Sequence, residues 1–325
     1  MRLKLQETEQ VWNMDNSKKV AESGLLLGIF AVMLTFFMYV PFAGFFMLIC
    51  FPIPFVLIAV KQPFQWSFGF LFLACCISVL IGSIHIIPVI LLFGMTGIIL
   101  GWQLSRNESP GPLLVSTVLA FLAGLLLLYA FLAVFLDIHF IEESTSFFRQ
   151  GYEESAKILD GWGRAPSAED RERVFESLEL MNTLLPSLLV MVSLLMAVLI
   201  LSAARPIVKR FTEKRIPVLS IKELRLPSSL LWYYLIVMVF SFLLQNNESG
   251  GLYSVLSNFL FILQFFVLIQ GFSFLFYFTA QKGWPKAVPL LAVALSFLLP
   301  GLLSFIRIFG IIDLGFPIRK QIQKK

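Results

Sequence analysis

Few side chains in this chain could carry chemistry. His85 and His139 are the two histidines of the 325 residues, and neither has a second His or Cys at metal-ligand spacing. No zinc-protease helix is therefore written in the sequence. Cys50, Cys75 and Cys76 all fall inside apolar runs and leave none for the polar loops, which suits small packing residues better than a disulfide framework. The run LLFGMTGIILGWQLSR, residues 91 to 106, holds Gly94, Gly97 and Gly101 and invites comparison with a phosphate-cradling glycine loop. There is no Walker-type phosphate loop, however, no G-x-S-x-G elbow, and no pair of intramembrane carboxylates suited to hydrolysis or a proton relay. An enzyme is not expected, and no catalytic, cofactor-binding or metal-ligating residue is assigned. ATP hydrolysis would have to come from another chain.

The elements that position these residues are set by composition. The chain is 58% hydrophobic and 14% charged, with 35 Phe, and its mean hydropathy is +0.86. Repeated uncharged apolar runs of about 20 residues match the thickness of a bilayer core, which makes this an all-α polytopic membrane protein. Runs such as LLVSTVLAFLAGLLLLYAFLAVF do not alternate in polarity, as strands of a membrane β-barrel would. Spans are expected near Gly24 to Val40, Phe42 to Val60, Phe68 to Gly82, Ile86 to Gln103, Leu113 to Asp137, Leu184 to Ala204, Leu230 to Leu244 and Leu252 to Tyr277. The first follows a polar segment, residues 1–23, so it reads as an uncleaved span rather than a signal peptide. A final apolar stretch, Ala287 to Pro317, is interrupted by Pro300-Gly301, which gives eight to ten membrane segments in all.

Lys and Arg are retained on the cytoplasmic side of membrane loops. With the N-terminus inside, Lys61, Arg106, the loop RPIVKRFTEKRIPVLSIKELR, Lys282 and Lys286 all fall inside as well. That loop, within residues 205–227, carries seven bases against two acids, a net +5. It includes Arg205, Lys209, Arg210, Lys214 and Arg215, either as plain topology determinants or as contacts to anionic lipid headgroups. The basic tail, residues 318–325, is cytoplasmic if Pro300-Gly301 divides two short segments. The insert 138–181 has the opposite sign, with ten acids against five bases, a net −5. Its apolar residues recur at helical spacing around a GWGRAP turn, and Ser167 with Asp170 forms a weak capping-box match. It reads as an extracytoplasmic helical hairpin: a lid, a docking surface or a solvated connection.

Polar residues within spans are Gln264, Gln270, Asn258, Thr96, Ser78, Arg307 and Asp313. Gln264 and Gln270 suit hydrogen bonds between helices. Arg307 and Asp313 either pair across a break or reach toward an interface. Gly97, Gly101 and Ser105 follow a four-residue step and Gly94 lies on the same stripe, so the glycines, each costing a helix about 1 kcal/mol relative to Ala, read as a packing seam.

Several stretches resemble known membrane families. GLLLGIFAV, YVPFAGFF, GMTGIILGWQLSR and RPIVKRF place the first 205 residues near the S-components of energy-coupling-factor transporters. With LSIKELRLPSSLLWYY and FGIIDLGFPIRK added, the whole chain more closely resembles the YybS-like family of multi-pass Firmicute membrane proteins. The resemblance implies a six-helix unit over residues 24–204, including the hairpin, followed by additional helices over 228–317, in the plasma membrane of a bacterium. It further implies binding of a small solute near the outer face, close to Tyr39, Pro41, Phe42 and His85. By the same analogy Gly24, Gly28 and Ala31 would dock onto a transmembrane coupling subunit driven by ATPases. The alternative is a membrane scaffold or regulatory protein of the cell envelope that acts through its outer hairpin or inner basic loop. The basic charges are accounted for by loop topology, so no nucleic-acid partner is invoked.

Overall fold

The computed structural model describes all residues except 1, 41–42, 139, 218–219, 245–250, 317 and 320–325. All regular secondary structure among the described residues is helical. Among the described residues, six helical stretches are long and apolar enough to cross a bilayer: Ser17–Tyr39, Phe64–Ile81, Ile84–Ser105, Pro110–Phe135, Leu185–Phe211 and Gly251–Gln281. Three shorter apolar helical stretches, Phe46–Lys61, Ser229–Leu243 and Ala287–Leu298, accompany them.

The described chain forms two compact units. The first comprises residues 1–144 and 192–217. Its helix α1 (Arg2–Tyr39) is continuous, whereas residues 1–23 were expected to be a separate segment. Those residues contain neither Pro nor Gly to end a helix. α2 (Ala43–Cys50) and α3 (Pro52–Lys61) meet at Phe51, dividing the single span expected at Phe42 to Val60. Pro52 lacks the amide that would continue α2, yet it suits the first turn of α3. α4 (Phe64–Ile81), α5 (Ile87–Ser105) and α6 (Pro110–Phe135) follow.

α5 is the most buried of the long apolar helices among the described residues. Its glycines explain how it gets there. A Cβ on Gly97 would stand 2.5 Å from the Pro52 carbonyl oxygen, and one on Gly101 would stand 2.6 Å from that of Val56. The backbones of α3 and α5 are thus in direct contact. Around this seam runs a chain of edge-to-face rings: Phe70–Phe55 at 5.3 Å, Phe55–Phe30 at 5.5 Å, Phe30–Phe51 at 5.9 Å, Phe51–Phe93 at 6.1 Å and Phe93–Phe121 at 5.6 Å. The chain joins α4, α3, α1, α5 and α6, each contact adding about 0.5–1.5 kcal/mol beyond burial.

The second unit comprises residues 145–191 and 218–325. It contains most of α7 (Phe140–Gly161), α8 (Ala168–Thr183), the start of α9 (Leu185–Phe211), α10 (Ser229–Leu243), α11 (Gly251–Gln281), α12 (Ala287–Leu298) and α13 (Pro300–Gly315). The hairpin therefore groups with the C-terminal helices, where the 24–204 boundary had put it with the first six. Asn258 of α11 supplies the reason: its amide donates to the Thr183 carbonyl at 2.7 Å, and its oxygen accepts from the Ser187 amide at 3.0 Å. Pro300 separates α12 from α13 as the sequence anticipates, with Leu299 in an extended conformation. α11 and α13 make a second backbone contact, since a Cβ on Gly271 or Gly310 would collide with the carbonyl of Ile306 or Val267 respectively.

α9 also departs from expectation at its end. Arg205, Lys209 and Arg210 were placed in a loop over 205–227, but α9 continues through Pro206 to Phe211. Ala204 and Val208, both fully buried, extend its packed face across the proline.

Gly97→Ala should destabilise the protein by about 1–3 kcal/mol through overpacking against Pro52, read as a lower melting temperature in detergent. Gly24→Ala meets nothing within 4 Å and should leave stability unchanged or slightly raised. At the hairpin turn the Ser167 hydroxyl and backbone amide donate to Asp170, holding its carboxyl below the ordinary range. A depressed folded-state pKa stabilises α8 above the unfolded value and loses that contribution as pH falls through the folded one. Amide exchange in the first turn of α8, corrected for intrinsic rate, should therefore rise below about pH 4.

Candidate functional site

The S-component resemblance implies a solute within unit 1, close to Tyr39, Pro41, Phe42 and His85. Tyr39, the last residue of α1, is 70% exposed. His85 is exposed within the short 3-10 turn Ile84–Ile86. Pro41 and Phe42 lie outside the described residues. Tyr39 and His85 line none of the described grooves. The space between the helices is occupied by the Phe rings, and the buried hydroxyls of Ser78, Thr96 and Thr117 donate to carbonyls four residues back on their own helices. Those hydroxyls are thereby already engaged.

The open spaces of this unit are mostly apolar grooves between neighbouring helices, one of which, about 480 Å³ between α1 and α3, also carries the Lys61–Glu22 ion pair at 3.4 Å. One of about 620 Å³ lies between α5 and α6 and is lined by Leu91, Met95, Gly124, Leu127 and Phe131, among others. Another, of about 610 Å³, lies between α1 and α4, with Gly24, Leu27, Trp66, Gly69 and Phe72 on its walls. Small-molecule sites normally combine apolar walls with a few convergent polar groups. The polar groups on the walls of the α1–α4 groove are Ser23, Gln65 and the Trp66 indole, and the indole already donates to the Ser23 hydroxyl at 2.9 Å.

The six small residues singled out in the sequence fall into two sets. Gly94, Gly97 and Gly101 are buried against α3 and α4. Gly24 and Gly28 have open space where a side chain would stand, and Ala31 is half-buried. α1 thus presents a small-residue surface that its own unit does not cover.

The basic residues also divide. Lys214 donates to the Ser105 carbonyl at 3.0 Å and to the Asn107 side chain at 2.7 Å, capping the C-terminal end of α5 where a cation is favoured. The Arg106 guanidinium stacks 3.8 Å over the Trp102 ring. Arg205 is half-buried and reaches the Pro217 carbonyl at 3.5 Å, while its Nε has no hydrogen-bond partner among the described residues. Lys209, Arg210 and Arg215 are exposed and free to meet solvent or headgroups.

Unit 2 contains a polar centre in which, of the two alternatives for Arg307 and Asp313, the direct pair is not formed. Arg307 does not pair with Asp313; it reaches Ser304 at 3.0 Å and Gln264 at 3.4 Å. Asp313, 1% exposed, is held by Arg319, 6% exposed, at 2.6 Å. Arg319 also donates to the Ser273 hydroxyl at 3.0 Å and the Lys222 carbonyl at 3.1 Å, and its guanidinium lies 5.0 Å from the Tyr277 ring centre. Gln270 donates to Asp313 and accepts from the Leu226 amide at 3.0 Å, while Ser273 donates to the Leu224 carbonyl at 2.6 Å. The signal for Arg319 was FGIIDLGFPIRK: α13 ends at Gly315 and Phe316 is extended, which turns the chain enough for a partner six residues on. The arrangement is a satisfied ion pair that fastens the 222–226 segment, α11 and the end of α13 together.

The family model described as "Predicted membrane protein (DUF2232)" matches residues 28–314. The chain belongs to that family. It is 29% identical over 311 residues to the protein named "Uncharacterized protein YybS" from Bacillus subtilis (strain 168), an alignment covering 95% of this chain and 100% of the relative. No solved structure matches the chain. With its family and its six long apolar helices, the chain is an integral, multi-pass membrane protein.

Arg319→Ala should cost about 3–5 kcal/mol by leaving Asp313 buried without its partner, measured as thermal unfolding in detergent. Replacing both charges, Asp313→Asn with Arg319→Gln, should recover a substantial part of that loss.

Proposed function

We propose that the chain is a non-enzymatic docking subunit of a bacterial cell-membrane assembly, and that it recognises the apolar transmembrane helix of another protein rather than enclosing a small solute. The observation that carries this reading is the Phe-filled interior of unit 1, since a solute receptor would keep a cavity with convergent polar groups among its helices. The surface of α1 supports it further. Helices in a bilayer associate where small residues let backbones approach, and Gly24 and Gly28 are open on that side. The α1–α4 groove beside Gly24, about 610 Å³ and largely apolar, would receive side chains of such a helix. A coupling subunit working with ATPases is one such partner, and a purely structural envelope protein is another. In this reading the N-terminus and the basic tail are cytoplasmic, as the sign of the loop charges implies.

The test is purification of the intact protein from native membranes with quantitative identification of what accompanies it, followed by native mass spectrometry. Gly28→Leu should fold with unchanged melting temperature while losing at least tenfold of a stoichiometric membrane partner. A partner set indifferent to Gly28→Leu and Gly24→Leu would remove the docking face. A small polar molecule retained at one per chain would restore the solute-receptor alternative.

A further inference from the structure

α7 carries an apolar face that none of the described residues of its unit covers. Phe147 is 73% exposed, Phe148 56%, Ile158 59% and Trp162 75%. At 100° per residue Phe147, Phe148 and Ile158 fall within one stripe about 100° wide, and Trp162 follows in the turn just after Gly161. A second face packs on α8: Ala156 is 3% exposed, Tyr152 meets the Phe175 ring at 5.9 Å, Arg149 lies 4.6 Å over the same ring, and Thr145 bonds to Asn182 at 3.2 Å. The third face carries Glu153, Glu154, Lys157 and Asp160, all exposed. The helix is therefore divided into a packed side, a charged side and a free aromatic side.

We infer that this free side lies in the membrane interface, making α7 an in-plane anchor in addition to the spans. Three features point to lipid as the occupant. The hairpin is tied closely to apolar spans at both ends, since α7 starts at Phe140 after α6 ends at Phe135, and α8 ends at Thr183 before α9 starts at Leu185. Next to that second tether, Leu180 and Met181 of α8 are 52% and 50% exposed, continuing apolar surface toward the span. The residue types are those of interfacial helices, with Trp and Phe on one side and ionic groups on the other. Four side chains are also too few for a stable protein interface, which needs roughly 20–30 residues a side, whereas the bilayer is always adjacent. This inference is independent of the α1 docking reading.

The experiment uses the full chain with Cys50, Cys75 and Cys76 replaced by Ser, reconstituted in phosphatidylethanolamine–phosphatidylglycerol vesicles. An environment-sensitive fluorophore is attached after Ile158→Cys, Trp162→Cys or Asp160→Cys. Lipids spin-labelled near the headgroup should quench the probe at 158 and 162 at least threefold more than at 160, with aqueous iodide showing the reverse order. Equal iodide access at all three positions overturns the inference. So does shielding at 158 and 162 that grows with protein density rather than with quencher lipid, which would seat a second copy on the stripe. Should the Cys-free chain fail to fold, the difference in fluorescence between the unmodified chain and Trp162→Phe in brominated-lipid vesicles gives the same answer. A Trp162 component insensitive to bromine overturns it.

Discussion

Inside a bilayer the backbone hydrogen bonds are consumed within each helix, and lipid is as apolar as the side chains it would be traded for. What remains to hold helices together is closeness of fit, so the architecture depends on where two backbones can touch. That happens at Gly97 and Gly101 against α3 in the first unit, and at Gly271 and Gly310 between α11 and α13 in the second. The two units then diverge in how they complete the contact. The first surrounds it with interlocking Phe rings. The second surrounds it with a buried ion pair and the amide of Gln270, each polar group finding a partner on another element.

Much of this was legible in the sequence because it rests on length and local chemistry. Apolar runs located most of the helices to within a few residues, the start of α1, the division at Phe51 and the end of α9 excepted; the Pro300 break and the Ser167–Asp170 cap follow from neighbouring residues, and the four-residue step of Gly97 and Gly101 marked its seam in advance. Gly271 and Gly310 went unnoticed because the seam they form pairs two single glycines on different helices, with no spacing to betray it. Arg319 was missed for a related reason: its pairing with Asp313 depends on how the chain turns after Gly315, which periodicity does not report. Arg205, Lys209 and Arg210 were assigned to a loop because charge and Pro206 argue locally against a helix, while the packing of Ala204 and Val208 argues for one and prevails. The proposed solute residues had the least local support, resting on resemblance alone.

The glycines also show why residue type is a weak guide to role. Gly24 and Gly97 occur in similar apolar company, yet one faces open space and the other a carbonyl oxygen. A small residue in a membrane helix states that something can approach closely. Whether that something is already present in the chain is decided by the tertiary arrangement, which separates a structural seam from a surface available to another protein.

The pairing of Asp313 with Arg319 bears on how the end of the chain enters the membrane. An unpaired carboxylate within an apolar segment is costly to insert, and a distant partner could relieve it only after the bundle had formed. Here the counter-charge follows six residues later, just beyond a helix end. The terminal segment can neutralise its own carboxylate as it settles at the membrane boundary, before α11 supplies Gln270 and Ser273, so insertion and assembly need not be simultaneous.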